Sequence, residues 1–325
     1  MFKIKPIVVV MGEPFSVFSE IFFKVFKTKF FKKFSKPVIL VGSIKLITEQ
    51  MNKLGFHHKI NLIKKDLLKL EQLNNDKINI IDVNFNYKKP FDKVTNKSNS
   101  YIKKSFEIAI ELINKKKCYA LINGPISKRH FLNGKFLGIT EYLASKMNKK
   151  DKVAMLIYNK NLSVSPITTH LPLKDVPKSI TKNKIKNHVK LINSFYKKRF
   201  NRKPIIAITG LNPHCESNYK TSEDENIINP AVKELKKKNY KVDGPFAADT
   251  IFMKEQSKKF DVIIGMYHDQ VLTPIKTLFG FNAINITLGL PFIRISPDHG
   301  PNTSMLGKNL SNPQSLIEAF KYLDK

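Results

Sequence analysis

Three histidines stand out by their surroundings: His170 in TTHLPL (168–173), His214 in GLNPH (210–214) and His268 in YHDQ (267–270). Each follows an apolar segment of the kind that makes a strand. Imidazole nitrogen is a ligand for Zn²⁺ and other divalent ions. Three rings converging at one sheet edge would hold such an ion with coordination left open for substrate. Their separations, 44 and 54 residues, match no local metal motif, so spacing alone leaves three unrelated polar histidines as the competing reading. Asp269 stands directly beside His268, and Lys276, Asn285 and Arg294 follow within the next segments. Lysine and arginine attract an anion, and the arginine fork grips phosphate or carboxylate through two bonds. Arg294 also interrupts the apolar run LPFIRI, where a charge needs a partner. A structural ion pair is the alternative for Arg294, and surface decoration for Lys276. Cys215, next to His214, reads as a buried, inert thiol rather than a soft ligand.

The elements that would position these groups alternate along the chain. Apolar runs at 6–11, 38–42, 78–83, 119–123, 153–158, 204–210 and 261–266 predict strands buried on both faces. Helical patterns fill 99–116, 181–199, 224–239 and 314–323, with Ser98 or Asn99 and Thr181 as N-cap candidates. Residues 283–296 predict two short strands around Gly289. This alternation is the signature of an α/β protein with parallel sheets covered by helices. Open sheets of that kind bind ligands at the carboxyl ends of their strands, which is where the three histidines lie.

Composition narrows the class. Hydrophobic residues make up 42% of 325, enough for a sizeable core. No apolar run approaches the ~18 residues that span a bilayer. The opening MFKIKPIVVVMGEP reads as a first strand rather than a signal peptide, and two cysteines suit a reducing cytoplasm. The formal charge of +31 invites a nucleic-acid reading. Yet arginine occurs only at 129, 199, 202 and 294; the other 53 of 57 basic residues are lysines spread over the chain. That pattern is a composition bias on solvated faces rather than a recognition groove.

Taken together, GEP (12–14), NGPISK (123–128), TEYLA (140–144), TTHLPL, GLNPH, GPFAADTIF (244–252), YHDQVLTPIK (267–276) and GLPFIRISPDHG (289–300) resemble the 4-hydroxythreonine-4-phosphate dehydrogenase family of vitamin B6 biosynthesis. The segments occur in the family's order across nearly the whole chain. The resemblance implies two α/β/α domains with a cleft, similar to isocitrate and isopropylmalate dehydrogenases, working as a cytoplasmic homodimer. On this chain that means residues 1–125 with 296–325 as a first domain, and 126–295 as a second carrying most metal and substrate residues. It implies NAD or NADP as cofactor and a divalent metal (Zn, Mg or Co) on His170, His214 and His268. Thr140, Lys276, Asn285 and Arg294 would contact a phosphorylated hydroxy-amino acid. Asp249, Asp269 and Lys276 would stand close to the reacting centre. The implied reaction is oxidation and decarboxylation of 4-phosphohydroxy-L-threonine to 3-amino-2-oxopropyl phosphate. The absence of a GxGxxG fingerprint agrees with the family.

Four departures stand beside the match. The family's His-Thr-Glu, whose histidine meets substrate, is Ile139-Thr140-Glu141. The opening loop, richer in glycine in the family, here reads Glu13 to Ser19, and its Phe15 and Phe18 would narrow the space. Residues 215–219 replace an Ala-Gly-Glu-Gly-Gly type loop, and Pro301-Asn302 follows SPDHG where Thr-Ala is typical. They leave room for a relative acting on another 4-phosphorylated acid, such as threonate or erythronate phosphate.

Overall fold

A computed structural model describes residues 4–68, 70–150, 152–215, 221–297 and 299–324. In chain order the first elements are β1 (Ile7–Val10), α1 (Phe18–Phe26), α2 (Lys29–Lys32), β2 (Val38–Gly42), α3 (Ile44–Lys53), β3 (Ile60–Leu62), β4 (Ile78–Asp82), α4 (Asn99–Asn114) and β5 (Ala120–Asn123). There follow α5 (Ile139–Lys146), β6 (Ala154–Tyr158), β7 (Ser163–Pro166), α6 (Val176–Ser179), α7 (Lys182–Phe200), β8 (Ile206–Thr209), α8 (Asn229–Lys237), β9 (Val242–Phe246), α9 (Lys254–Ser257), β10 (Val262–Gly265), α10 (His268–Phe279) and β11 (Ile284–Leu288). The chain ends with β12 (Ile293–Pro297) and α11 (Gln314–Asp324).

The chain divides into two compact units: Met1–Ile139 with Phe292–Lys325, and Thr140–Pro291. Residues 126–139 and 292–295, Arg294 among them, thus fall with the first unit.

In unit 1 the strand order is β3-β4-β2-β1-β5-β12, and every pairing is parallel. Strands β1 and β2 are buried end to end, as their unbroken apolar runs require. Phenylalanine packs one flank. Phe22 and Phe26 pack on each other and on Phe31, and Phe31 and Phe34 meet Phe320 of α11, with ring centroids of 5.1 Å for Phe31–Phe320 and 5.3 Å for Phe34–Phe320. Phe15 and Phe18 are buried in this unit. The ends of β1 and β5 pass so closely that Gly12 (φ +73°) has no room for a Cβ beside the Pro125 carbonyl.

In unit 2 the order is β11-β6-β7-β10-β8-β9. The four strands β7, β10, β8 and β9 are parallel, while β6 runs antiparallel to both β7 and β11. This mixed sheet corrects the all-parallel expectation. Its core gathers Ile157, Val164, Ala207, Ile263, Val271 and Ile275.

Most expected elements form where the patterns place them. Thr181 caps α7 by accepting the Lys184 N–H. Ser98 occupies the N-cap of α4 without capping it, because its hydroxyl is committed to Glu13 and the Thr95 carbonyl. The pattern at 224–239 opens as a wide turn over 224–228 before α8 begins. No helix is long and apolar enough to cross a membrane among the described residues.

Candidate active site

The parallel strands β7, β10, β8 and β9 lie side by side, about 4.8 Å apart. Just past their carboxyl ends come His170, His268, His214 and Asp249 in that order. Topology therefore brings residues scattered between positions 170 and 268 to one edge.

His268 is the first residue of α10. The polar end of the β10 run is a helix start, not a loop, with Tyr267 extended at the N-cap. Gln270 explains why this junction is rigid. Its Oε1 accepts from the Met266 N–H (2.6 Å) and the Thr209 hydroxyl (2.9 Å), and its Nε2 donates to the Gly210 carbonyl (2.8 Å). One side chain thus ties the start of α10 to the ends of β10 and β8. The segment carrying His170 is tied to the same end: Thr168 donates to the Met266 carbonyl through its hydroxyl (2.8 Å) and its N–H (3.2 Å).

The rings of His170 and His268 consequently lie 5.6 Å apart, centroid to centroid. Nδ1 of His268 meets Asp269 Oδ1 at 2.6 Å. That contact sets the ring's orientation and directs Nε2 to other use, as carboxylates do for metal-binding histidines.

His214 lies in a loop held from below. Asp224, 1% exposed, accepts from the backbone N–H groups of Leu211 (2.7 Å) and Asn212 (3.1 Å) and from the Asn212 amide (2.8 Å). His214 and Cys215 both adopt left-handed backbone (φ +58° and +61°), a conformation costly for residues with a Cβ. Among the described residues no three His, Cys, Asp or Glu side chains gather as a metal site. The structure pairs His170 with His268 and leaves His214 outside that pair. Cys215 is half-buried rather than buried. Residues 216–219 of the altered loop lie outside the described residues.

The other candidates separate clearly. Thr140, buried in the first turn of α5, lies 3.5 Å from the Thr287 hydroxyl of β11. Asn285 stands two residues from Thr287 on the same face of β11, and its Oδ1 is buried with no hydrogen-bond partner among the described residues. Glu141 Oε1 accepts from the Thr169 hydroxyl (3.3 Å), next to His170. Lys276 is exposed in the last turn of α10. It follows Asp269 by seven residues and so shares its helix face. Asp249 is exposed in the turns after β9 and makes no hydrogen bond or ion pair with the histidines among the described residues. In unit 1, Arg294 is fully buried and donates from Nε to Asn123 Oδ1 at 2.8 Å.

Sequence reasoning passed over Gln270's anchoring role, Asp224, Thr287, Glu141 and Glu13. Asp224 had a signal: it lies in TSEDEN, an acidic run in a lysine-rich chain. Glu13, in the GEP turn of unit 1, is 1% exposed. Its carboxylate accepts from the Ser98 hydroxyl (3.2 Å) and the Phe15 N–H (3.5 Å). Burial outweighs those bonds and pushes its pKa up to about 7.

Residues 33–323 match the family described as pyridoxal phosphate biosynthetic protein PdxA. A 4-hydroxythreonine-4-phosphate dehydrogenase of Sulfurihydrogenibium sp. (strain YO3AOP1) is 39% identical over 319 residues, covering 96% of this chain and 95% of its own. The crystal structure of 4-hydroxythreonine-4-phosphate dehydrogenase from Klebsiella pneumoniae superposes with a TM-score of 0.82 at 27% identity, covering 98% of each chain. Isocitrate dehydrogenase from Methylococcus capsulatus, at TM-score 0.50 and 9% identity, covers 99% of this chain and 85% of its own and shares the fold alone. Agreement in sequence that runs nearly end to end decides the matter, and this chain belongs to the PdxA family.

Proposed function

We propose that this chain carries out the NAD(P)-dependent oxidation and decarboxylation of 4-phosphohydroxy-L-threonine to 3-amino-2-oxopropyl phosphate, using a divalent metal and working as a homodimer. The family and its named relatives support a dehydrogenase of pyridoxine biosynthesis, and support it over an enzyme of threonate or erythronate phosphate.

The observation that carries the metal reading is the His170–His268 pair with Asp269 on Nδ1 of the second ring. The donor set fits a divalent cation. Two adjacent imidazoles suit zinc or cobalt better than magnesium, which prefers oxygen ligands. His170 and His268 would hold the ion, with His214 completing the set. When bound, the metal lowers the pKa of a coordinated hydroxyl and steadies negative charge on oxygen, while the nicotinamide accepts the hydride.

The chain's own residues supply positioning and proton handling. Asp269 keeps the His268 proton on Nδ1, so Nε2 stays available as a lone-pair donor. Lys276, on the Asp269 face of α10, attracts an anionic end of the substrate to the helix that carries His268. Thr140 of α5, beside Thr287 and Asn285 of β11, offers hydroxyl and amide groups with them for the same ligand, and the Asn285 Oδ1 is an acceptor in need of a donor. Arg294 supplies a second cation for phosphate or carboxylate. Asp249 and Asp269 are the carboxylates proposed to take the departing proton.

NADH release tests this directly. Turnover of 4-phosphohydroxythreonine should be lost with chelator and with His268→Ala. Turnover of threonate 4-phosphate alone would sink the substrate assignment. Turnover indifferent to both chelator and His268→Ala would sink the metal.

A further inference from the structure

The proposed substrate carries two anionic groups and one cationic group. Its phosphate and carboxylate call for cations; its ammonium calls for acceptors. The ammonium stands on the carbon next to the one whose hydroxyl is oxidised. Whatever meets it must therefore stand beside the histidines of unit 2.

Most carboxylates at this edge are committed or open to solvent. Asp269 faces Nδ1 of His268 and is exposed. Asp224 is spent on Leu211 and Asn212. Asp249 is exposed in the turns after β9. Glu141, in the first turn of α5, differs from all three. Its Oε1 accepts from the hydroxyl of Thr169 (3.3 Å), the residue directly before His170. Its Oε2 is buried and has no hydrogen-bond partner among the described residues. A carboxylate oxygen buried without a donor is costly, and a ligand bringing N–H groups and positive charge relieves that cost.

A second acceptor of the same kind is carried by β11. The hydroxyl of Thr140, the residue before Glu141, lies 3.5 Å from that of Thr287. Asn285 shares the Thr287 face of the strand, and its Oδ1 is likewise buried without a partner among the described residues. One contact, Thr140–Thr287, thus joins the two elements that hold these acceptors. A ligand hydroxyl donates a single proton and carries no charge. An ammonium has three N–H groups and a charge opposite to that of Glu141.

We propose that Glu141, through Oε2 and with Asn285 Oδ1 as second acceptor, binds the ammonium of the substrate and so makes this chain select a 2-amino acid over the 2-hydroxy acid of the same skeleton. This rests on the dehydrogenase reading for the identity of the substrate and names the residue that sets its class. Threonate 4-phosphate is the informative competitor, because it has a hydroxyl where 4-phosphohydroxythreonine has the amino group.

The test is calorimetric titration of the zinc-loaded full chain with each compound, without dinucleotide and hence without turnover. Wild type should bind 4-phosphohydroxythreonine about tenfold or more tighter than threonate 4-phosphate. Glu141→Gln keeps the size of the side chain and an acceptor for Thr169 but removes the charge. It should erase most of that difference by weakening the amino acid, and leave hydroxy-acid binding, zinc content and melting temperature unchanged. Glu141→Asp retains the charge and should keep the preference in the same direction. Equal affinities in wild type would overturn the assignment, as would Glu141→Gln weakening both ligands alike or neither. Loss of zinc together with both ligands would make Glu141 a positioning residue for His170 and overturn it too. NADH release separates this from the reaction itself. Turnover of 4-phosphohydroxythreonine with an unchanged affinity ratio in Glu141→Gln would leave the dehydrogenase reading standing and remove only this assignment. The expected ratios without NADH release from either compound would do the reverse.

Discussion

Ile139 is the first residue of α5, half-buried and directly before the buried Thr140. Where the family places a substrate-contacting histidine, this side chain offers no donor. Ile139→His should lower KM for 4-phosphohydroxythreonine roughly ten- to a hundredfold, the worth of one hydrogen bond to a charged group at about 1.5–3 kcal/mol. An unchanged KM would mean that neighbouring groups have taken over the contact. Glu13 makes a prediction of another kind. Its folded pKa, about 7, lies above the ordinary 4.5, so the native state favours the protonated form. The associated stability is fully present below 4.5 and is lost as pH rises to 7. Glu13→Gln stays neutral and should escape that loss. Between pH 5 and pH 8 the variant should gain stability over wild type, up to about 3 kcal/mol, by urea unfolding. Buried His188, held down to about 4, acts in the opposite sense, its contribution lost as pH falls below 6.5. It is present in both proteins and cancels in the difference. A variant with the wild-type pH profile would show that the Glu13 carboxyl ionises normally.

The junction of β10 and α10 depends on Gln270, whose three hydrogen bonds reach β8, β10 and the helix start. Gln270→Ala leaves the Met266 N–H and Gly210 carbonyl without these bonds. It should cost about 2–3 kcal/mol in urea unfolding and weaken zinc retention on dialysis through a looser His268. Full zinc retention at reduced stability would confine Gln270 to a structural role. The same junction shows what was legible beforehand. Strands β1, β2, β5 and β10 are unbroken apolar runs buried on both faces, and pattern alone finds them. The helix at His268 was not visible, because its first turn is polar and Pro274 lies inside it. Strand β9 (VDGPF) buries only Val242 fully and contains Gly and Pro. Helix α1 is buried on nearly every side and so lacks the polar face that marks an amphipathic pattern. The histidines were legible as strand-end residues. Their pairing was not, since it depends on β7 and β10 being neighbours while 95 residues of chain separate Pro166 from Val262.

At the scale of the whole molecule the charge is the dominant property. The ion pairs along the helices, such as Lys115–Glu111 and Lys321–Glu318, are exposed and worth little individually. A net +31 predicts weak, sequence-blind attraction to DNA that disappears above about 0.2 M salt. Binding that survives in a salt titration, or that discriminates between sequences, would restore a nucleic-acid role. The partition of the chain has a further effect, on biogenesis. Unit 1 is discontinuous: its sheet and its phenylalanine cluster need β12 and α11, which leave the ribosome only after all of residues 140–291. At typical elongation speeds the delay is about 10–30 s. Unit 2, continuous in sequence, can complete its core during that interval. The nascent first half meanwhile holds Phe31 and Phe34 without Phe320, so the newly made chain carries a sticky apolar face that a holdase chaperone would recognise and the finished protein conceals.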